Sequence, residues 1–114
     1  MATTEDVRRI ALALPRTTEH LVRDRVKFRV GQIVYVALSR DETVMGFAFP
    51  REERDALVAS DPERFLPPEP ADVRYQWVRA RLALLGEEEL REVVTDAWRM
   101  VVPKRVAAAY LDGR

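Results

Sequence analysis

The sequence predicts an α+β domain in which an antiparallel sheet of four to five strands carries helices packed on one face, in the order α-β-β-β-α-β-α-α. Three observations carry that prediction. Apolar residues recur at helical spacing near both ends of the chain, as at Val7, Ile10, Ala11 and Leu14. Further along the period falls to two, where Arg23, Arg25, Lys27 and Arg29 alternate with Val26, Phe28 and Val30. The β-type runs that follow are joined by short polar segments, Gly31-Gln32 and then Ser39-Arg40-Asp41-Glu42. Loops that short permit hairpins and exclude parallel crossovers.

Each element has its own local reason. The first helix, Thr4 to Leu14, can be capped by Thr3 or Thr4. Glu5 and Asp6 stand at its positive end, and Pro15 stops it. Residues 16–22 read as a polar connection. Asp24 would point to the core side under strict alternation, so the strand is expected to start after it. Gly31-Gln32 suits a type II′ hairpin. Ile33 to Leu38 and Thr43 to Phe49 supply two more strands, the first of strongly β-forming composition. Pro50 is placed for the start of a helix whose first turn holds Glu52, Glu53 and Asp55, and Asp61-Pro62 ends it. Residues 65–72 contain three prolines and read as an extended connector. Arg74 to Leu84 alternates again, with Tyr75, Trp77, Arg79 and Arg81 on one side and Val78, Ala80, Leu82 and Leu84 on the other. Gly86 closes that strand. Glu87-Glu88-Glu89 opens a helix with a buried stripe of Leu90, Val93, Val94, Ala97, Trp98 and Val101, and a short helix follows from Lys104 to Leu111.

Composition removes several function classes. At 114 residues the chain suits one domain, residues 1–114, with a core of its own. There is no cysteine, hence no disulfide, thiolate nucleophile or thiolate metal site, and the single histidine, His20, excludes a His-rich metal site within one chain. No apolar stretch approaches the roughly 20 residues that span a bilayer. The first residues lack the pattern of a signal peptide, so a cytoplasmic protein is expected. Gly31, Gly46, Gly86 and Gly113 are isolated, so no glycine-rich phosphate loop and no cofactor site are expected. Ser39 and Ser60 lie in no nucleophile elbow. His20 beside Glu19 could act as a general base, although a lone histidine in a polar segment more often does no chemistry.

The charge balance is neutral, 19 basic against 19 acidic residues, but segregated along the chain. Between Arg8 and Arg29 seven basic residues face two acids; between Asp41 and Asp72 three face nine. The row Arg23, Arg25, Lys27 and Arg29 would place four cations at intervals of about 6.6–6.8 Å along one face of a strand. It could follow a phosphate backbone or simply guard a strand edge. Tyr75, Trp77, Arg79 and Arg81 combine aromatics with guanidinium groups, a mixture suited to base stacking and phosphate contact. Those aromatics oppose the apolar face of their strand, so they need a cover, a partner or a ligand.

Three stretches also resemble a known family. They are the A-L-A-L-P helix end followed by Glu19-His20, then Phe28-Arg29-Val30-Gly31-Gln32-Ile33 with the strand behind it, and the Trp77 strand with its acidic-start helix and the Val102-Pro103-Lys104-Arg105 close. Together they resemble the MmcQ/YjbR family over nearly the whole chain. The resemblance implies a small α+β fold, similar in layout to type III secretion chaperones and frataxin-like proteins, and DNA binding through a double-wing arrangement. Where members often carry a Lys/His-rich approach to the tryptophan, this chain has Arg74-Tyr75-Gln76-Trp77, so no imidazole role carries over there. The expectation is a non-enzymatic protein that binds DNA, mainly at phosphate. Arg23, Arg25, Lys27 and Arg29 would form one wing and Tyr75, Trp77, Arg79 and Arg81 another surface, flanked by Lys104 and Arg105. The alternative is a protein- or small-ligand-binding module with an apolar groove near Trp77. Homodimerisation through a free strand edge is compatible with either.

Overall fold

The structure, a computed structural model, describes residues 1–113. Helix α1 (Thr4–Leu12) begins in a capping box. The Thr3 hydroxyl accepts from the Asp6 amide at 3.3 Å, and the Asp6 carboxylate accepts from the Thr3 amide at 2.9 Å. The bond from the Thr3 amide, with Arg9 alongside, holds the Asp6 carboxyl below its ordinary range. Strands β1 (Thr17–Val22), β2 (Arg25–Val30), β3 (Ile33–Leu38) and β4 (Val44–Ala48) form a meander. Helix α2 (Arg51–Ser60), strand β5 (Phe65–Leu66), strand β6 (Trp77–Arg81), helix α3 (Glu87–Arg99) and helix α4 (Lys104–Asp112) follow. All neighbouring strands are antiparallel, in the order β1-β2-β3-β4-β6-β5.

The α+β layout agrees with the sequence prediction, and the sheet gains two strands. Residues 17–22, read as a polar connection, are β1, and the connector at 65–72 contributes the two-residue β5. Strand β1 escapes a hydrophobic pattern because two of its inward positions, Thr17 and Glu19, are polar and find partners. Glu19, opposite Phe28, receives Arg8 Nε of α1 at 2.9 Å, and the Thr17 hydroxyl lies 2.7 Å from the Tyr35 hydroxyl. Arg23 and Asp24 form a two-residue turn with φ of 53° and 66°, the two positive values of a type I′ hairpin. Gly31 (φ 59°) occupies the first turn position of the next hairpin, where a type II′ loop needs a positive value.

Register sorts the side chains into two faces. Phe28, Val36, Phe47 and Val78 form one cross-strand row, and Leu38, Met45, Ala80 and Phe65 the next. All are buried, and α1 and α3 supply Val7, Ile10, Leu90, Val94 and Trp98 to the same core. The Trp98 indole N–H donates to Pro15 O at 2.8 Å, fastening α3 to the end of α1, and Tyr110 of α4 meets the Trp98 ring edge-on at 5.4 Å. A bulge lies between β2 and β3: Phe28 pairs with Val36 but Arg29 with Val34, leaving Tyr35 as the extra residue. Tyr35 and Val36 are consequently both fully buried, which strict alternation would forbid. The other face carries His20, Lys27, Ala37, Gly46, Arg79 and Leu66 in a single row across all six strands.

Candidate functional site

That second face holds the cationic residues of β2 and β6. Arg25, Lys27 and Arg29 project from β2, and Trp77, Arg79 and Arg81 from β6, with β3 and β4 between. The middle strands contribute small residues, Ala37, Gly46 and Ala48, so the face is lowest at its centre. The β3–β4 pairing ends at Val36 opposite Phe47. Past that point β3 stays with β2 and β4 with β6, and the sheet forks. A cavity of about 880 Å³ opens over this region. Its cationic lining is Arg25 and Lys27 from β2, Arg51 from the first turn of α2, and Arg74 from the segment before β6; Tyr75 and Trp77 add the aromatics. Ile33, Val34, Ala37 and Ala48 of the sheet, with Met100 and Val101 from the end of α3, supply apolar surface, and Glu52 and Asp72 two carboxylates.

Close backbone approach sets the Trp77 indole in place. A Cβ on Gly46 would come within 2.6 Å of the indole Nε1, so only glycine lets the ring lie over β4. Trp77 is half-buried there, and its Nε1–H makes no hydrogen bond among the described residues. Tyr75 precedes the strand and is 52% exposed. The Arg74 guanidinium stacks over its ring at 5.0 Å and donates to its hydroxyl at 2.9 Å. Beneath this segment Arg54 of α2, itself buried, donates to Val73 O at 2.9 Å, Tyr75 O at 3.0 Å and Trp77 O at 3.3 Å. Arg51 donates to Arg74 O at 2.6 Å. Two arginines of one helix thus hold the backbone that presents both aromatics.

Ion pairing is unevenly distributed. Arg8, Arg9, Arg64, Arg91 and Arg99 all pair with carboxylates on or against the helical layer. On the outer face, among the described residues, only Arg79 does so, with Glu69 at 2.9 Å, while also donating to Pro67 O. Arg25, Lys27, Arg29, Arg51, Arg74 and Arg81 have no carboxylate within ion-pair distance among the described residues.

The structure thus brings Arg25, Lys27, Tyr75 and Trp77 into one cavity. Arg29 and Arg81 share the face beyond it, Arg29 with its Nε buried and unpaired, Arg81 donating to Glu63 O at 3.0 Å. Arg23 is not on the strand row: the I′ turn carries it past the end of β2. Lys104 and Arg105 start α4 and line no part of this cavity; Lys104 borders a second groove between α2, α3 and α4. That groove, with Phe47, Phe49, Leu57, Phe65, Val93 and Leu111, holds the apolar surface, whereas the cavity beside Trp77 is mixed in character. The apolar groove expected near Trp77 is displaced because cations from β2 and α2 occupy its rim. Arg51 and Arg74 were not among the sequence candidates. Only the R-Y-Q-W run hinted at Arg74, and nothing local marked Arg51. Glu19 and His20 fall on opposite faces of β1, so they form no dyad; His20 Nε2 lies 2.8 Å from the Thr18 hydroxyl. Among the described residues no three His, Asp or Glu side chains converge as metal ligands, and no helix is long and apolar enough to cross a membrane.

The family model described as YjbR matches residues 12–100. The chain belongs to the YjbR family. Among solved structures, the crystal structure of the Deinococcus radiodurans protein DR2400, described as carrying the DUF419 domain, is similar at a TM-score of 0.78 and 21% identity. The match covers 92% of this chain and 82% of that one. At that identity the likeness speaks for the fold. None of the curated proteins compared with the chain matches it. The YjbR match takes in β1 to β6 and α3, hence every strand that builds the cavity.

Proposed function

We propose that this YjbR-family protein binds DNA at the mouth of this cavity, mainly at phosphate. One observation carries the reading: cations from β2, α2 and the approach to β6 surround one cavity and keep their charge, while most ion-paired arginines sit on the helical side. Guanidinium and ammonium groups without carboxylate partners, gathered around one cavity, attract a polyanion over several ångströms and release its counterions on contact. Contacts of that kind position a nucleic acid without reading its sequence, so sequence preference should be weak.

Fluorescence anisotropy with labelled DNA across a salt series tests this. The four cations of the cavity predict a log–log salt slope of roughly −3 to −4 for about four phosphates neutralised. A flat salt response, or no binding at low salt, would overturn it. The groove between α2, α3 and α4 favours a second reading, an apolar peptide or ligand seated away from the sheet. Such a ligand would bind without competing with DNA.

A further inference from the structure

We infer that the nucleic acid taken up here is single-stranded, with one base stacked on the Trp77 indole. The inference rests on the DNA reading above and narrows it.

Three features of the site favour a single strand. The first is width. At the paired row Lys27, Ala37, Gly46 and Arg79, strands β2 and β6 stand three strand spacings apart, about 14 Å between backbones, and their long side chains narrow that span further. A duplex is broader and keeps its bases inside, so it could touch the rim but not enter. A single strand can run along the rim and turn a base inward. The second is the indole. Trp77 packs against Gly46, only partly open to solvent, its N–H without a hydrogen-bond partner among the described residues. A partly open indole admitted by a missing Cβ, beside an exposed aromatic at Tyr75, offers a base a surface to stack on. The third is the mixture of charges. Glu52 and Asp72 stand in the same lining as Arg25, Lys27, Arg51 and Arg74. Carboxylates repel a bare phosphate but accept hydrogen bonds from the amino group of a base. The set suits a nucleotide, anionic at one end and a donor at the other.

The test compares three probes at low salt: a mixed-sequence single strand, the duplex it forms with its complement, and an abasic strand of the same length. Trp98 is fully buried, so ligand-induced quenching of tryptophan emission reports Trp77. The single strand should bind more tightly than the duplex and quench the emission. The abasic strand should bind roughly ten- to a hundred-fold more weakly, without quenching. Trp77→Ala should cost the intact strand a similar factor and leave the abasic strand unaffected. Because that variant opens a hole, Gly46→Ala serves as the second. It retains the indole and displaces it, and should lose the same discrimination while circular dichroism stays native. Equal binding of all three probes with unchanged emission would overturn the stacking proposal and leave phosphate binding standing. Failure of every probe to bind would remove both.

Discussion

Replacing Arg54 with alanine should loosen the segment that carries Tyr75 and Trp77 before it disturbs the rest of the sheet. The side chain is 8% exposed, and no carboxylate pairs with it among the described residues. Its guanidinium instead gathers three backbone carbonyls, of Val73, Tyr75 and Trp77, with two bonds at 2.9–3.0 Å and a longer one at 3.3 Å. A hydrogen bond to a charged group contributes about 1.5–3 kcal/mol net. The two shorter bonds together contribute at most about 6 kcal/mol, and the longer third adds less. Burial of an unpaired cation offsets part of this, and water entering the space can satisfy the released carbonyls. The expected loss is about 3 kcal/mol. In a domain of this size that is a fall in Tm of roughly 12 °C. Urea unfolding followed by tryptophan emission measures it, and amide exchange at residues 73–77 shows whether this segment opens first. Arg54→Lys keeps the charge but has one nitrogen where two are needed, and should recover less than half of the loss. A Tm within about 2 °C of the parent for Arg54→Ala would refute the reasoning, because three bonds to a buried guanidinium would then be contributing nothing.

Other outcomes follow from the same structure. Lys27→Ala and Arg74→Ala should each reduce the salt slope for single-stranded DNA by about 0.7, whereas Arg79→Ala should change it little, since Glu69 already neutralises that guanidinium. Anisotropy at several salt concentrations separates the three. Thr3→Ala removes the capping box of α1 and should cost about 1 kcal/mol, or roughly 5 °C in Tm by calorimetry, with DNA binding unchanged. Burial pushes the Tyr35 hydroxyl up to about 12, against a smaller opposing effect of its bond with Thr17. The unfolded chain loses that proton near pH 10, so this stabilisation is complete below about pH 10 and is lost as pH rises towards 12. Between pH 9 and 11 the loss is about 1.3 kcal/mol, and Tyr35→Phe should abolish it in urea melts at those two values.

The β2 and β6 runs were legible because one face of each is apolar and the other charged, the pattern a half-buried strand imposes. The opposite apolar sides of Trp77 and Val78 already indicated that the aromatic faced away from the core. Strand β1 was not legible. Thr17 and Glu19 face inward, and they are tolerated only because Tyr35 and Arg8, distant in sequence, complete their hydrogen bonds. The turn at Arg23 and Asp24 lacks the glycine or Asn-Gly that announces a I′ loop, so the alternation extends to Arg23, which the strand does not include. Strict alternation through Ile33 to Leu38 could not reveal that a bulge turns Tyr35 and Val36 onto the same side.

Periodicity and charge placement in the chain by itself determined the α+β class, the helical core stripes, and the presence of two cation-bearing strands. They did so because burial selects residue types locally, within a turn of helix or a few residues of strand. Only the tertiary structure decided that those strands show their cations on the same face, that β3 and β4 part between them, and that Arg51 and Arg74 join the rim. Strand order and register are set by packing among residues far apart in sequence. A side chain's face is a local property, but its neighbours across the sheet are not.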